Sequence, residues 1–126
     1  MESANVLILK KMEELLNRRD LDAYVECMDP AIEWHVARED PDKDVHRGRD
    51  AVRAYVEGWI DAFSDLQIHM EEASLSDDQV RTVIRLTGEG AASGTPLDDR
   101  VGFVWTLRDG RVTKVEDLGR AQASTK

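Results

Sequence analysis

The sequence predicts an α+β domain in which a strongly curved, mostly antiparallel sheet wraps around helices to form a cone, in the order α-α-β-α-β-β-β-β. Three observations carry this. Apolar residues at three- and four-residue spacing are confined to the first half of the chain. Period-two alternation returns after residue 65 and persists almost to the end. The strands it marks run to about ten residues, beyond the usual five or six, and antiparallel strands of that length must twist and curl.

The elements follow in order. Leu9, Met12 and Leu16, widened by Ile8 and Leu15, form the buried stripe of a first helix, with Lys10, Lys11, Glu13 and Glu14 on its other face. Asp20 reads as the N-cap of a second helix with Leu21, Tyr24, Val25 and Met28 inward, ended by Asp29-Pro30. Residues 31–37 then alternate: Ile32, Trp34 and Val36 share one face, Glu33 and His35 the other. A charged stretch, 38–47, reads as a solvated loop. Gly48 opens a third helix whose inward stripe is Val52, Tyr55, Val56, Trp59 and Phe63. Four strands complete the chain: one carrying Leu66, Ile68 and Met70, then 80–92, 100–108 and 111–118. Asp109-Gly110 is a strong hairpin signal between the last two. Gly88, Gly90 and Gly94 are the expected places for the sheet to bend.

Composition narrows the function. The 126 residues suit one domain, 1–126, with 17 basic and 26 acidic residues and a net charge of −9. That charge argues against nucleic acid, polyphosphates and anionic membrane surfaces as partners. Cys27 is the only cysteine, which excludes an intrachain disulfide and a thiolate metal cluster. The start lacks a signal-peptide pattern, and no apolar run approaches the roughly 18 residues of a membrane span. A cytoplasmic location is the expectation. The three histidines have no metal-ligand spacing, Gly88-Glu89-Gly90 sits in strand sequence instead of opening a helix, and no nucleophile elbow is present. No metal and no cofactor are expected.

A curled sheet around the third helix leaves a hollow at its wide end. Trp34, Tyr55, Trp59, Phe63, Phe103 and Trp105 lie on the faces that point into it. They would suit a small apolar organic ligand; the same six rings could equally pack as a solid core. Apolar residues on the convex face, such as Ile84 and Val104, point to a homodimer.

Several segments carry a resemblance: Asp29-Pro30-Ala31-Ile32-Glu33-Trp34, Arg47-Gly48-Arg49-Asp50-Ala51-Val52, Trp59 through Phe63, Gly88 through Gly94, Val104 through Val112, and Val115 through Ala121. In this order they resemble the SnoaL-like branch of the nuclear transport factor 2-like superfamily, over nearly the whole chain. The resemblance implies the conical fold. It also implies a choice among ketosteroid isomerases, polyketide cyclases, epoxide hydrolases, dehydratases and non-catalytic binding modules, because fold does not fix function.

Matched residue by residue, the isomerase pattern fails. Trp34 stands at the position of the base with Glu33 beside it, Met12 falls near the tyrosine donor, and Gly102 or Phe103 near the acid donor. The epoxide hydrolase pattern is half filled, with Arg85 and Asp117 matching and Thr87 where a second aspartate belongs. A SnoaL-like cyclase asks only for one general acid/base in an apolar cavity that folds the substrate onto itself. The candidates are Asp117 and His35, with His46 and Glu33 behind them; Arg85 and Thr87 join the aromatic residues as pocket candidates. Each has a bland alternative. Glu33 and His35 lie opposite Trp34 and would point outward or into a subunit contact if Trp34 points in; His46 and His69 would be solvated. Asp117 could be a structural carboxylate paired with Arg85, and Arg85 could instead pair with Glu89. The expected function is a small-molecule pocket protein, acting as a cofactor-independent cyclase or isomerase on a polyketide-like substrate. The alternative is a non-catalytic ligand-binding or dimeric association module.

Overall fold

A computed structural model describes residues 3–36 and 45–120. Helix α1 (Ala4–Asn17) starts at Ser3, whose hydroxyl oxygen accepts the Val6 N–H at 3.1 Å. It buries Val6, Leu9, Met12, Leu15 and Leu16, the stripe set by helical spacing. At the corner, Arg19 adopts φ 64° and its guanidinium donates to the carbonyls of Leu16 and Leu66. Helix α2 (Leu21–Glu26) is capped by Asp20, which accepts the Ala23 N–H at 3.3 Å.

Helix α2 ends earlier than its stripe suggests. Met28 is the first residue of strand β1 (Met28–His35) and is completely buried there, so Asp29-Pro30 lies inside a strand and does not terminate the helix. Proline is tolerated because the β1 ladder to its neighbour is irregular between Met28 and Glu33. Residues 37–44 of the expected loop lie outside the described residues. Its end is strand β2 (Val45–Arg47), which pairs antiparallel with β1 and sets His46 opposite Trp34. Gly48, at φ 90°, then opens helix α3 (Arg49–Ala62). The Arg49 guanidinium donates twice to the Met28 carbonyl, at 3.0 and 2.6 Å, tying α3 to β1.

Strand β3 (Phe63–Ser76) follows α3 without a loop, so Phe63 is extended backbone and not the last helical residue. Strands β4 (Gln79–Gly90), β5 (Pro96–Arg108) and β6 (Arg111–Arg120) complete the sheet. Asp109 and Gly110 both have positive φ, 54° and 79°, as a tight two-residue hairpin requires.

The strand order is β2-β1-β6-β5-β4-β3. Every neighbouring pair is antiparallel except β1 and β6, which run parallel and place Trp34 beside Val115. The six strands form a curved, unclosed sheet, the conical α+β arrangement expected, with one strand more than the alternation marks. Its bends are β-bulges. Ser64 faces Glu89 and Gln67 faces Thr87, so Asp65 and Leu66 together oppose Gly88. Gly88 has φ 155°, and a Cβ there would lie 2.9 Å from the Ser64 carbonyl oxygen. Gly90 ends its strand and Gly94 belongs to the connection to β5, so Gly88 alone of the three sits at a bulge inside the ladder. Further register shifts fall at Glu71, Leu118 and Thr113.

Helices α1, α2 and α3 pack with β1, β4, β5 and β6 into one hydrophobic core. Ile84 and Val104, expected to be partly exposed, are only 6% and 8% accessible within a single chain. They offer no apolar face for a partner, and the argument for a dimer loses that support. Among the described residues, no helix is long and apolar enough to cross a membrane.

Candidate functional site

The curved sheet and α3 enclose a cavity of about 300 Å³. The helical stripe of α3 delivers Tyr55, Val56, Trp59 and Ile60 to it, while strand alternation delivers Trp34 from β1, Val101, Phe103 and Trp105 from β5, and Leu66 and Ile68 from β3. Strand β4 contributes Ile84 and Leu86, and the first two helices add Leu16 and Tyr24. Apolar side chains therefore form nearly all of the wall. Trp59 is 37% exposed and marks the mouth, stacked on Phe63 with ring centroids 5.8 Å apart.

The floor is an aromatic cluster centred on Trp34. Its ring lies 5.8 Å from Tyr55, 5.9 Å from Phe103 and 5.9 Å from Trp105, the last two edge-on. The indole N–H of Trp105 donates to the Thr82 hydroxyl at 2.9 Å, and Thr82 is 1% exposed. The indole N–H of Trp34 is buried and has no acceptor among the described residues. Tyr24 is buried too, and loss of hydration pushes its phenol well above the ordinary value, so it stays neutral.

Strand β6 brings Asp117, Gly119 and Arg120 to this mostly apolar wall. Asp117 is half-buried, opposite Phe103, and its Oδ1 accepts the Gly119 N–H at 2.7 Å. That bond spans the bulge at Leu118. Arg120 is largely exposed and donates to Asp99 at 3.1 Å. A carboxylate on the wall of an apolar cavity can take a proton from a substrate held there and return it, the step general acid/base chemistry needs.

Of the residues singled out in the sequence, Trp34, Tyr55, Trp59, Phe103, Trp105 and Asp117 come together on this wall. His35, Phe63, Arg85 and Thr87 do not line it. His35 alternates with Trp34 on β1, so it faces away, and its Nε2 lies 3.0 Å from Glu33 Oε1. The His35 contact, with Arg47 and Lys114 nearby, holds the Glu33 carboxyl below the ordinary carboxylate range, which makes Glu33 an ion and a poor proton donor. Arg85 makes a two-point ion pair with Asp98, at 2.9 and 2.8 Å, and it is this carboxylate, not Asp117 or Glu89, that engages it. That pair likewise keeps Asp98 below its usual value. Thr87 sits on β4 between Gln67 and Asp98. His46 stacks on Tyr55 with ring centroids 4.4 Å apart and does not line the cavity; His69 is exposed, 3.8 Å from Glu13. Among the described residues, no group of three or more His, Cys, Asp or Glu side chains could hold a metal ion.

Tyr24 and Arg120 line the cavity without having been singled out as site residues. Tyr24 carried a signal for burial but none for an adjoining hollow. Arg120 lies past the point where alternation fades, and only the glycine before it hints that the strand continues through a bulge.

The family model described as SnoaL-like domain matches residues 9–115. No curated protein matches the chain. Among solved structures, a SnoaL-like polyketide cyclase candidate from Jannaschia sp. CCS1 superposes with a TM-score of 0.82 at 21% identity, over 93% of this chain and 85% of that one. A Mycobacterium tuberculosis protein in complex with estradiol-17beta-hemisuccinate gives 0.77 at 20% identity, over 92% and 93%. A protein with a ketosteroid isomerase-like fold from Catenulispora acidiphila, in complex with trimethylamine, gives 0.76 at 13% identity, over 87% and 82%. At these identities the likeness is one of fold.

Proposed function

This chain belongs to the SnoaL-like domain family, and from that premise we propose that it binds an apolar small molecule in the cavity beneath α3 and acts on it as a cofactor-independent cyclase or isomerase. The observation that carries the proposal is an apolar hollow of about 300 Å³ on whose wall, among the described residues, stands one carboxylate, Asp117. In this reading the aromatic floor folds a flexible polyketide-like substrate until its reacting carbons meet, which supplies much of the rate as effective molarity. Asp117 takes a proton from the carbon beside one carbonyl. That carbon's electron pair forms the new bond to a second carbonyl carbon, and the proton returns to the resulting alkoxide oxygen. Proton transfer of this kind contributes on the order of 10²–10⁴-fold. Structural neighbours crystallised with a steroid ester and with trimethylamine support the binding half of the reading.

One observation favours a second reading, a non-catalytic binding module: Asp117 Oδ1 already serves the Gly119 N–H, a structural task at the bulge. One experiment separates the two. A library of polyketide-like and terpenoid ring compounds is screened by thermal denaturation, and hits are followed for turnover. A compound present at about 100 times its Kd adds about 2.7 kcal/mol of stability, a rise on the order of 10 °C. The catalytic reading expects Asp117→Asn to abolish turnover while the ligand-induced rise persists. A rise in both proteins with no turnover in either supports the binding module. No rise with any compound contradicts both. Association into a homodimer is also proposed, and light scattering on the full chain checks it: a monomer mass contradicts it.

A further inference from the structure

We propose that the indole N–H of Trp34 is the hydrogen-bond donor that anchors the cavity's occupant, so the site selects an apolar molecule carrying a neutral acceptor, a carbonyl or ether oxygen. This deepens the cavity reading and rests on it.

Buried polar groups in folded proteins nearly always have partners, and a donor left alone costs stability. Trp34 is 6% exposed, its Nε1 is buried, and among the described residues no acceptor reaches it. The same floor shows the alternative. Trp105, 5.9 Å away, has its N–H satisfied by the buried Thr82 hydroxyl at 2.9 Å. One indole of the pair thus has an acceptor supplied by the fold and the other does not.

Packing alone does not require the orphan, because a phenyl ring at position 34 would present an apolar edge with no donor to bury. Around Trp34 stand Tyr55, Phe103 and Trp105, which are themselves cavity wall. An occupant that spreads these rings brings its own oxygen to the N–H, while water is shut out from the closed cluster. Trp34 is thereby a specificity residue, distinct from Asp117 on β6, which handles the proton.

The probes are α-tetralone and tetralin, fused rings of nearly the same shape that differ by one carbonyl oxygen. Binding of each to the full chain and to Trp34→Phe is measured by calorimetry. The expected result is that Trp34→Phe weakens α-tetralone by roughly tenfold and leaves tetralin within about twofold. Equal loss for both probes, or none for either, overturns the role of Trp34 and leaves the cavity reading standing. Failure of both probes to bind the unaltered chain overturns the cavity reading, and this inference with it. Should Trp34→Phe not fold, the unaltered chain still decides. Its Trp34 indole N–H resonance moves further downfield with α-tetralone than with tetralin, whereas the hydrogen-bonded Trp105 N–H responds alike to the two probes. A Trp34 resonance that responds alike to both probes overturns the inference.

Discussion

At the scale of single residues, the two buried tryptophans of the floor show what alternation can and cannot reveal. Period two placed Trp34 and Trp105 inward, and it placed His35 opposite Trp34, where it meets Glu33 and not the cavity. It could not reveal that Trp105 would find Thr82 while Trp34 found nothing, because those partners are set by the pairing of β4 and β5. The Trp105 bond has a measurable consequence. Thr82→Val keeps the shape of the side chain and removes the acceptor, leaving a second buried N–H unpaired. Denaturant unfolding should show a loss of about 1–3 kcal/mol; an unchanged midpoint would mean that the hydroxyl carries no stability. Arg85 teaches the same lesson from the surface. Its strand face was legible, yet its partner Asp98 lies 13 residues away across a connection that carries no pairing signal.

At the scale of elements, local signals succeeded where the chain turns back on itself at short range. The α1 stripe, the Asp20 cap, and the Asp109-Gly110 hairpin all depend on residues within a turn of one another. Strand β2 escaped notice because three residues are too few to show a period. The parallel pairing of β1 with β6 escaped because its partners are more than 80 residues apart in sequence, Trp34 against Val115. The boundary at Met28 was misplaced for a related reason: a methionine at helical spacing is equally at home as the first buried residue of a strand. The bend at Gly88 was half legible, since a glycine marked it but the bulge at Asp65 and Leu66 that faces it did not. A side chain at that position meets the Ser64 carbonyl at 2.9 Å on backbone that L-residues rarely adopt. Gly88→Ala should therefore lower stability by roughly 1–3 kcal/mol in urea unfolding. It should also disturb the amide resonances of β3 and β4 around the bulge, and a neutral substitution would show that the bend does not depend on this contact.

At the scale of the whole molecule, a handful of register shifts converts a long sheet into a curved wall, and the wall converts scattered inward residues into one surface. The cone was legible because strands too long to stay flat followed an aromatic-striped helix. The cavity's composition was legible only in part. Five of the six rings expected to point into it line it and Asp117 joins them, while Phe63 does not, and Tyr24, Arg120 and much of the aliphatic wall depended on how the helices pack and where β6 turns. The acidic surface, with a net charge of −9, leaves the interior as the part of this protein suited to an uncharged partner. The most direct measurement is a nuclear magnetic resonance titration of the full chain with tetralin, following the indole N–H signals of its three tryptophans. If the hollow admits an apolar molecule, Trp34 and Trp105 on the floor shift together and saturably with Trp59 at the mouth. Movement of Trp59 alone, or unsaturable drift at every signal, would mean that the probe merely adheres to the outside.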